Sequence, residues 1–343
     1  MVQSFKKTLA VGIAGTAKNT GKTTTMSAIM DHIKEAPGLV LGLTSIGYDG
    51  EGFDNVTSLP KPRINVWPGC ILAVAEQCVQ SCTAQLAEIR RTDISTALGH
   101  VVLYRVTGLG KVVLAGPNSR KDLRIVLEML RESASLIIID GAFSRITPMA
   151  EADCLIIANG AARNTDIPQL AAESRILANI LSTPALTEFG AVGSVGSIFT
   201  LSGFQELMKI CENSDTINIQ GVMSHRYLNE LAAASGKLKG KRFIFTDPTK
   251  LLLAGNVMQV WNALMKLSDD SVEIGVAEIC KLLAMTVNPY YPKYRYNKSD
   301  YQAAFVDSGE LLSRVSESVC VPCFDVVCQS GKGICELIMS CGS

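Results

Sequence analysis

The chain has 343 residues, 48 % of them apolar and 19 % charged, with a mean hydropathy of +0.24. That length suits about two domains and a core that needs no disulfide support. Thirty-two basic residues balance 32 acidic ones, which excludes a global electrostatic pull toward nucleic acid or an anionic membrane, and neither is expected as a partner.

No apolar run approaches the ~20 residues of a membrane span. The opening Met-Val-Gln-Ser-Phe-Lys-Lys imitates a short secretion signal, but it runs straight into a glycine-rich loop. Residues 7–15 are therefore read as a buried strand ended by glycine. The eleven cysteines are odd in number and mostly scattered, the usage of a reducing compartment. A cytoplasmic location is expected.

In residues 21–34, Met26, Ile29, Met30 and Ile33 recur at helical spacing, and Pro37-Gly38 ends the helix. Leu39–Ile46 is a second apolar run and a second strand. Residues 47–69, rich in Gly, Asp and Pro, form a long connection of the kind that often carries function. The interrupted stripe of Leu72, Ala75, Val79, Leu86 and Ile89 predicts a helix over 71–90.

Strands are predicted over Val101–Val106, Lys111–Leu114, Leu136–Ile139 and Cys154–Ala158, with a helix over Asp122–Glu132 between them. Residues 165–181 read as a helix, and 190–200 mix glycine with strand formers. Phe204–Ile210 and Tyr227–Ala234 are helical, Asn218–Met223 and Arg242–Thr246 extended, and Val272–Met285 helical again. Val321–Val327 is a final strand.

Alternating strands and helices predict an α/β class with a mainly parallel sheet flanked by helices. A nucleotide-binding part is placed over residues 1–185. A second, smaller α/β part follows over 186–343, ends in a cysteine-rich stretch, and is open to continuing the same sheet.

The strongest motif is Gly15-Thr16-Ala17-Lys18-Asn19-Thr20-Gly21-Lys22-Thr23-Thr24-Thr25, set between a predicted strand and a predicted helix. Small residues let backbone N–H groups line one concavity, and the helix adds its free N-terminal donors. Such a loop binds phosphate. Lys22 would meet the β/γ phosphates and Thr23 would offer its hydroxyl to Mg²⁺. The ordinary Gly-x4-Gly-Lys-Thr spacing places a glycine at 16; here it stands one residue earlier, at Gly15. Gly15, Thr16, Asn19, Thr20, Gly21 and Thr24 complete the expected nucleotide-binding set. Lys18 either reaches phosphate, in its own loop or across a homodimer, or is simply solvated.

Asp140 ends the run Leu136-Ile-Ile-Ile-Asp140-Gly141, at the strand edge where open sheets hold their ligands. It is read as a metal-linked carboxylate, or else as a turn cap. Asp49 and Glu51, spaced by glycine after the second strand, form a third element. Asp49 is preferred as the residue that orients water or links to Mg²⁺; a plain acidic loop is the alternative. Lys22, Asp49 and Asp140 are thus the candidate catalytic residues. No Asn-Lys-x-Asp guanine-reading sequence is present, so ATP is the expected nucleotide. Asn159-Gly160 and Asp247-Pro248-Thr249-Lys250 are weaker candidates for its surroundings.

Cys320, Cys323 and Cys328 form C-x2-C-x4-C, a spacing open to zinc, to an iron–sulfur cluster or to a redox pair. A strand over the intervening residues would turn 323 and 328 to opposite faces, so buried or incidental thiols are the main expectation. Cys78 and Cys82 could share a helix face. The three histidines are isolated, and no serine-triad pattern accompanies them.

The segment Gly15–Thr23 resembles the loop of dethiobiotin synthetase, in the P-loop class that also contains MinD-like ATPases. The MinD-type signature lysine would fall at Ala17 and is absent. A second resemblance covers Gly15–Thr25, Thr44-Ser-Ile-Gly-Tyr-Asp-Gly-Glu51, Ile139-Asp-Gly-Ala-Phe-Ser-Arg145, Phe245-Thr-Asp-Pro-Thr-Lys250 and Thr286-Val-Asn-Pro289. These stretches are similar to the reactivating-factor family associated with lysine 5,6-aminomutase and ornithine aminomutase. That resemblance implies an ATP-dependent assembly or reactivation factor, with an adenosylcobalamin-dependent aminomutase as protein partner and release of damaged cobalamin as its work. The alternatives are a dethiobiotin-synthetase-like ligase or kinase acting on a small carboxylate, and a nucleotide-binding scaffold without turnover.

Overall fold

Strand β1 (Leu9–Gly15) is buried along its whole length, as a continuous apolar run must be when both faces of a parallel sheet are covered. The computed structural model to which it belongs describes residues 8–36, 38–47, 64–296, 299–329 and 331–342. Helix α1 (Lys22–Ile33) follows the glycine-rich loop and buries Met26, Ile29, Met30 and Ile33. Burial of such side chains stabilises by about 1.5–3 kcal/mol each. Strands β2 (Leu41–Ser45), β3 (Ile64–Val66), β4 (Ile71–Ala75), β5 (Leu86–Thr96), β6 (Gly99–Val106) and β7 (Gly110–Val112) come next. Then α2 (Arg120–Arg131), β8 (Leu136–Ala142), β9 (Cys154–Gly160) and α3 (Ile167–Leu181) complete the first passage.

The helix expected over 71–90 is not formed. Ile71–Ala75 are all buried in β4, a 3-10 turn spans Glu76–Ser81, and β5 runs from Leu86. A short apolar run buried on both faces shows no period that separates strand from helix. The charged residues Glu88, Arg90, Arg91 and Asp93 mark β5 as a sheet edge, and they stand exposed where a helix stripe would need an apolar face.

Residues 172–281 form a compact unit of their own. It contains β10 (Val192–Val195), α4 (Leu201–Asn213), β11 (Thr216–Ile219), α5 (His225–Ala233), β12 (Arg242–Phe245), α6 (Thr249–Leu252), α7 (Val257–Asp269) and β13 (Glu273–Val276). Its four strands are parallel and adjacent in sequence order. Phe243 and Phe245 are fully buried in it. Thr200 caps α4 by accepting from the Gly203 amide, and Asn256 caps α7 through the Met258 amide.

The chain then returns to the first unit, which comprises residues 1–171 and 282–343. Strand β14 (Leu282–Asn288) pairs in parallel with β9, hairpin strands β15 (Tyr290–Arg295) and β16 (Asp300–Phe305) form their own ribbon, and α8 (Ser308–Ser318), β17 (Cys323–Asp325) and α9 (Lys332–Gly342) follow. The sequential division at 185/186 is thereby corrected: β14 and β17 belong to the first unit's sheet, so the second unit is an insertion. The helix expected over Val272–Met285 is also replaced by two strands. β13 closes one sheet, β14 joins the other, and residues 277–281 connect them. A side chain on Gly275 would overlap Leu186, so that position in β13 is glycine for reasons of packing.

The large sheet has the order β17-β14-β9-β1-β8-β2-β4-β6-β5, parallel from β17 through β4 and antiparallel beyond. The chain leaves β1 toward β2 on one side and later adds β9 and β14 on the other. β1 therefore ends at a topological switch point, where the crevice of an open sheet lies. Helix α9 packs on α1: Cys335 Sγ donates to the Ile29 carbonyl (3.6 Å), and a side chain on Gly331 would overlap the Ala28 carbonyl. No helix among the described residues is long and apolar enough to cross a membrane.

Candidate nucleotide site

The glycine-rich loop leaves β1 at the sheet's carboxyl edge and is held from two sides. The Thr16 amide donates to the Ala158 carbonyl (3.0 Å), and Thr16 Oγ1 donates to Asn159 Oδ1 (2.6 Å). The same Asn159 oxygen accepts from the Gly160 amide at 3.0 Å. The buried Thr16 side chain is therefore turned into β9 and supports the loop from beneath. Arg163 Nη1 donates to the Thr16 carbonyl (3.3 Å) from the turn after β9.

Within the loop, Asn19 (φ 64°) and Gly21 (φ 95°) are both left-handed. Two such residues curl the backbone into the concave form that turns amides inward. Thr20 Oγ1 donates across the curl to the Ala17 carbonyl (2.9 Å). A Cβ on Gly15 would stand 3.2 Å from both Lys22 Cβ and Thr20 Oγ1, so the loop closes tightly over that glycine. Lys18 and Thr24 are exposed.

Helix α1 begins at Lys22 with no side-chain cap and no acid in its first turn. Its leading amides, including those of Thr23 and Thr24, therefore have no intrahelical acceptor and present the positive end of the helix. Lys22 Nζ lies 3.0 Å from Asp140 Oδ1 on β8, both side chains being about four-fifths buried, with 19 % and 18 % exposed. Asp140 Oδ1 is buried and takes no aligned hydrogen bond. Strand register brings the partners together: Ile13 is level with Asp140, and Gly15 with Ala142.

Asn288 is a site residue that the sequence analysis did not single out as such. From the end of β14, its Nδ2 donates to the Asn19 carbonyl (3.3 Å), and its Oδ1 accepts from the Tyr290 amide (3.0 Å). A Cβ on Gly21 would sit 3.0 Å from Asn288 Cβ. Deeper in, Thr25 Oγ1 and Thr286 Oγ1 share a buried hydrogen bond of 2.7 Å between α1 and β14. The signal available beforehand was the polar pair Thr286 and Asn288 inside an otherwise apolar run.

Other candidates fall elsewhere. Asp49 and Glu51 lie outside the described residues. Asp247, fully buried, accepts from the Thr249 amide (2.9 Å) and hydroxyl beyond β12 in the inserted unit. Cys320 and Cys328 are exposed and Cys323 is half-buried on β17, where burial pushes its thiol up to about 11. Among the described residues no group of three or more His, Cys, Asp or Glu is placed to hold a metal ion. Cys82 donates to the Cys78 carbonyl (3.3 Å), and the Cys78 thiol is raised by burial to about 11.

No family model matches the chain, and no curated protein matches it either. Among solved structures, that of pNOB8 ParA bound to nonspecific DNA is similar over 77 % of this chain and 98 % of its own, at 13 % identity and a TM-score of 0.29. A likeness at that level carries no functional weight.

Proposed function

We propose that the chain binds Mg·ATP at the Gly15–Thr25 loop and uses the nucleotide to drive a change in a partner enzyme. The observation that carries this reading is the Lys22–Asp140 ion pair at 3.0 Å, set at the uncapped start of α1 on the sheet's switch point. Left-handed Asn19 and Gly21 support it by shaping the loop.

The residues suit a bound magnesium ion. Asp140 Oδ1 is a buried carboxylate oxygen without an aligned donor, and Thr23 stands next to Lys22 at the helix start. Thr23 and Asp140 would hold the ion, with Asp49 as the third candidate. Bound there, Mg²⁺ would neutralise charge on the phosphates. Lys22 would release Asp140 to contact phosphate oxygens, and the loop amides would cradle them. Thr16 and Asn159 keep the loop in register with β9, while Asn288 braces it from β14.

The finer reading is an assembly or reactivation factor for an adenosylcobalamin-dependent aminomutase, and it rests on the resemblance of the five stretches named above. The test is Mg·ATP hydrolysis by the purified chain and by Lys22→Ala, alone, with such a mutase inactivated by damaged cobalamin, and with small carboxylates. Lys22-dependent turnover with recovery of mutase activity supports the proposal. Turnover that needs only a small carboxylate would replace it with a ligase or kinase. Nucleotide binding without turnover under every condition would replace it with a scaffold.

A further inference from the structure

We infer that Arg145, meeting Asn118 over Gly47, is a second cation for the terminal phosphoryl group of the nucleotide. The inference rests on the reading of the Lys22 loop as a phosphate site and extends it by one strand.

Gly47 follows β2 with φ 71°. A Cβ there would overlap the Arg145 guanidinium and lie 2.7 Å from Asn118 Oδ1. The position therefore excludes a side chain twice, by backbone conformation and by the two groups that converge on it. A second glycine completes the floor: a side chain on Gly116 would overlap the Ser45 carbonyl. The backbones are joined as well. The Gly47 amide donates to the Pro117 carbonyl and the Gly116 amide to the Gly47 carbonyl, each at 3.1 Å. Arg145 itself closes a 3-10 turn (Phe143–Arg145) fixed by the fully buried Ile146, whose amide donates to the Phe143 carbonyl (3.1 Å). The guanidinium is thus carried on a short turn five residues beyond Asp140.

Sheet register gives its direction from the loop. Gly15 is level with Ala142, and Ser45 is level with Asp140. Gly47 lies two residues beyond Ser45, and β2 is two strand spacings from β1, roughly 10 Å. Lys22 already leans from α1 toward β8 to reach Asp140. Arg145, standing over Gly47, therefore lies at the same carboxyl edge of the sheet, one strand beyond Asp140 as counted from the loop. A phosphate chain seated on the loop amides and running along that edge past Asp140 would bring its last group toward the guanidinium, whose planar fork matches phosphoryl oxygens. A diphosphate ends one group short. Arg145 is accordingly assigned to discrimination between triphosphate and diphosphate.

The experiment measures Mg-dependent binding of ADP and of the non-hydrolysable β,γ-imido analogue of ATP to the full chain. It compares the natural chain with Arg145→Gln, Arg145→Lys and Asn118→Ala, each checked for an unchanged melting transition. The expected result is a loss of about tenfold or more for the analogue in Arg145→Gln, with ADP affinity kept within about twofold. Arg145→Lys restores part of the loss, and Asn118→Ala shows a smaller loss in the same direction. Equal weakening of both ligands, or no change in either, overturns the assignment while leaving the phosphate site in place. Should Arg145→Gln fail to fold, unchanged discrimination in both other variants overturns it. Failure of the natural chain to bind either ligand overturns the phosphate-site reading itself, and this inference with it.

Discussion

Lys22 Nζ, on the first residue of α1, lies 3.0 Å from Asp140 Oδ1 at the carboxyl end of β8. One partner starts a helix and the other lies near the carboxyl end of a strand, so the pair joins the glycine-rich loop to the next strand of the sheet. Neither charge is fully in water, and each would be costly to leave alone in this setting. Asp140→Asn keeps the shape and removes the charge. It is expected to leave the fold intact and to weaken Mg-dependent nucleotide binding more than Mg-free binding, as read by titration with and without chelator. Equal affinity in the two conditions would contradict a metal-linked role for Asp140.

The left-handed Gly21 makes a second prediction. Gly21→Ala places a Cβ where φ is 95° and Asn288 Cβ is 3.0 Å away. The backbone cost alone is about 1–2 kcal/mol. Thermal unfolding should fall accordingly, and nucleotide affinity should fall with it. Adding Asn288→Gly is not expected to restore the stability, because it relieves the crowding but leaves the φ penalty and removes the hydrogen bonds that Asn288 makes with Asn19 and Tyr290.

Thr25 and Thr286 share a buried hydrogen bond of 2.7 Å. Thr25→Val strands the other hydroxyl, at a cost of about 1–3 kcal/mol, and the converse change does the same. The double variant removes both polar groups and is expected to be nearly as stable as the natural chain. Denaturant titrations of the four proteins measure the coupling; simple additivity would contradict the bond.

Glu151 ends a second 3-10 turn after β8 (Thr147–Glu151) and ties it to α2. Arg124 reaches it at 2.7 and 2.8 Å, and Arg120 pairs with it too. Burial pushes its carboxyl up, but the hydrogen bonds from Arg124 and Arg120 outweigh this and hold it below 4.5. A depressed carboxylate contributes stability above its unfolded value and loses it as pH falls through the folded one. Glu151→Gln is therefore expected to be less stable than the natural chain by about 2 kcal/mol at pH 7. The gap should narrow below pH 4.5. A constant gap across that range would contradict the ion-pair account.

The C-terminal thiols separate by exposure. Cys320 and Cys328 are exposed, whereas Cys335 is buried and its thiol is pushed up to about 12. Alkylation of the native chain, read by peptide mass, should modify Cys320 and Cys328 within minutes and spare Cys335. Joint protection of Cys320, Cys323 and Cys328 by added zinc would return them to a metal reading.

Much of the candidate site's local geometry was legible because local chemistry decides it. Gly15, Gly21 and Lys22 sit in a pattern whose strand, loop and helix agree with one another, and Asp140 ends a plain apolar run. Asn288 was harder, since its role follows from β14 lying beside β9, a long-range pairing with no local trace. Gly47 and Gly116 show the same limit: each is glycine because another segment presses on it. Ile71–Ala75 and Leu282–Met285 were misread because short buried strands share their composition with helices. The inserted unit escaped notice because no linker composition announces it.

The central claim is that the Gly15–Thr25 loop is a magnesium–nucleotide phosphate site built on Lys22. Calorimetric titration of the full chain with Mg·ATP, beside Lys22→Ala of equal thermal stability, tests it most directly. The account predicts saturable binding by the natural chain and a loss of about a hundredfold or more in the variant, of the order of a charged hydrogen-bond partner removed from a phosphate. No binding by the natural chain, or equal affinity in both proteins, would contradict it.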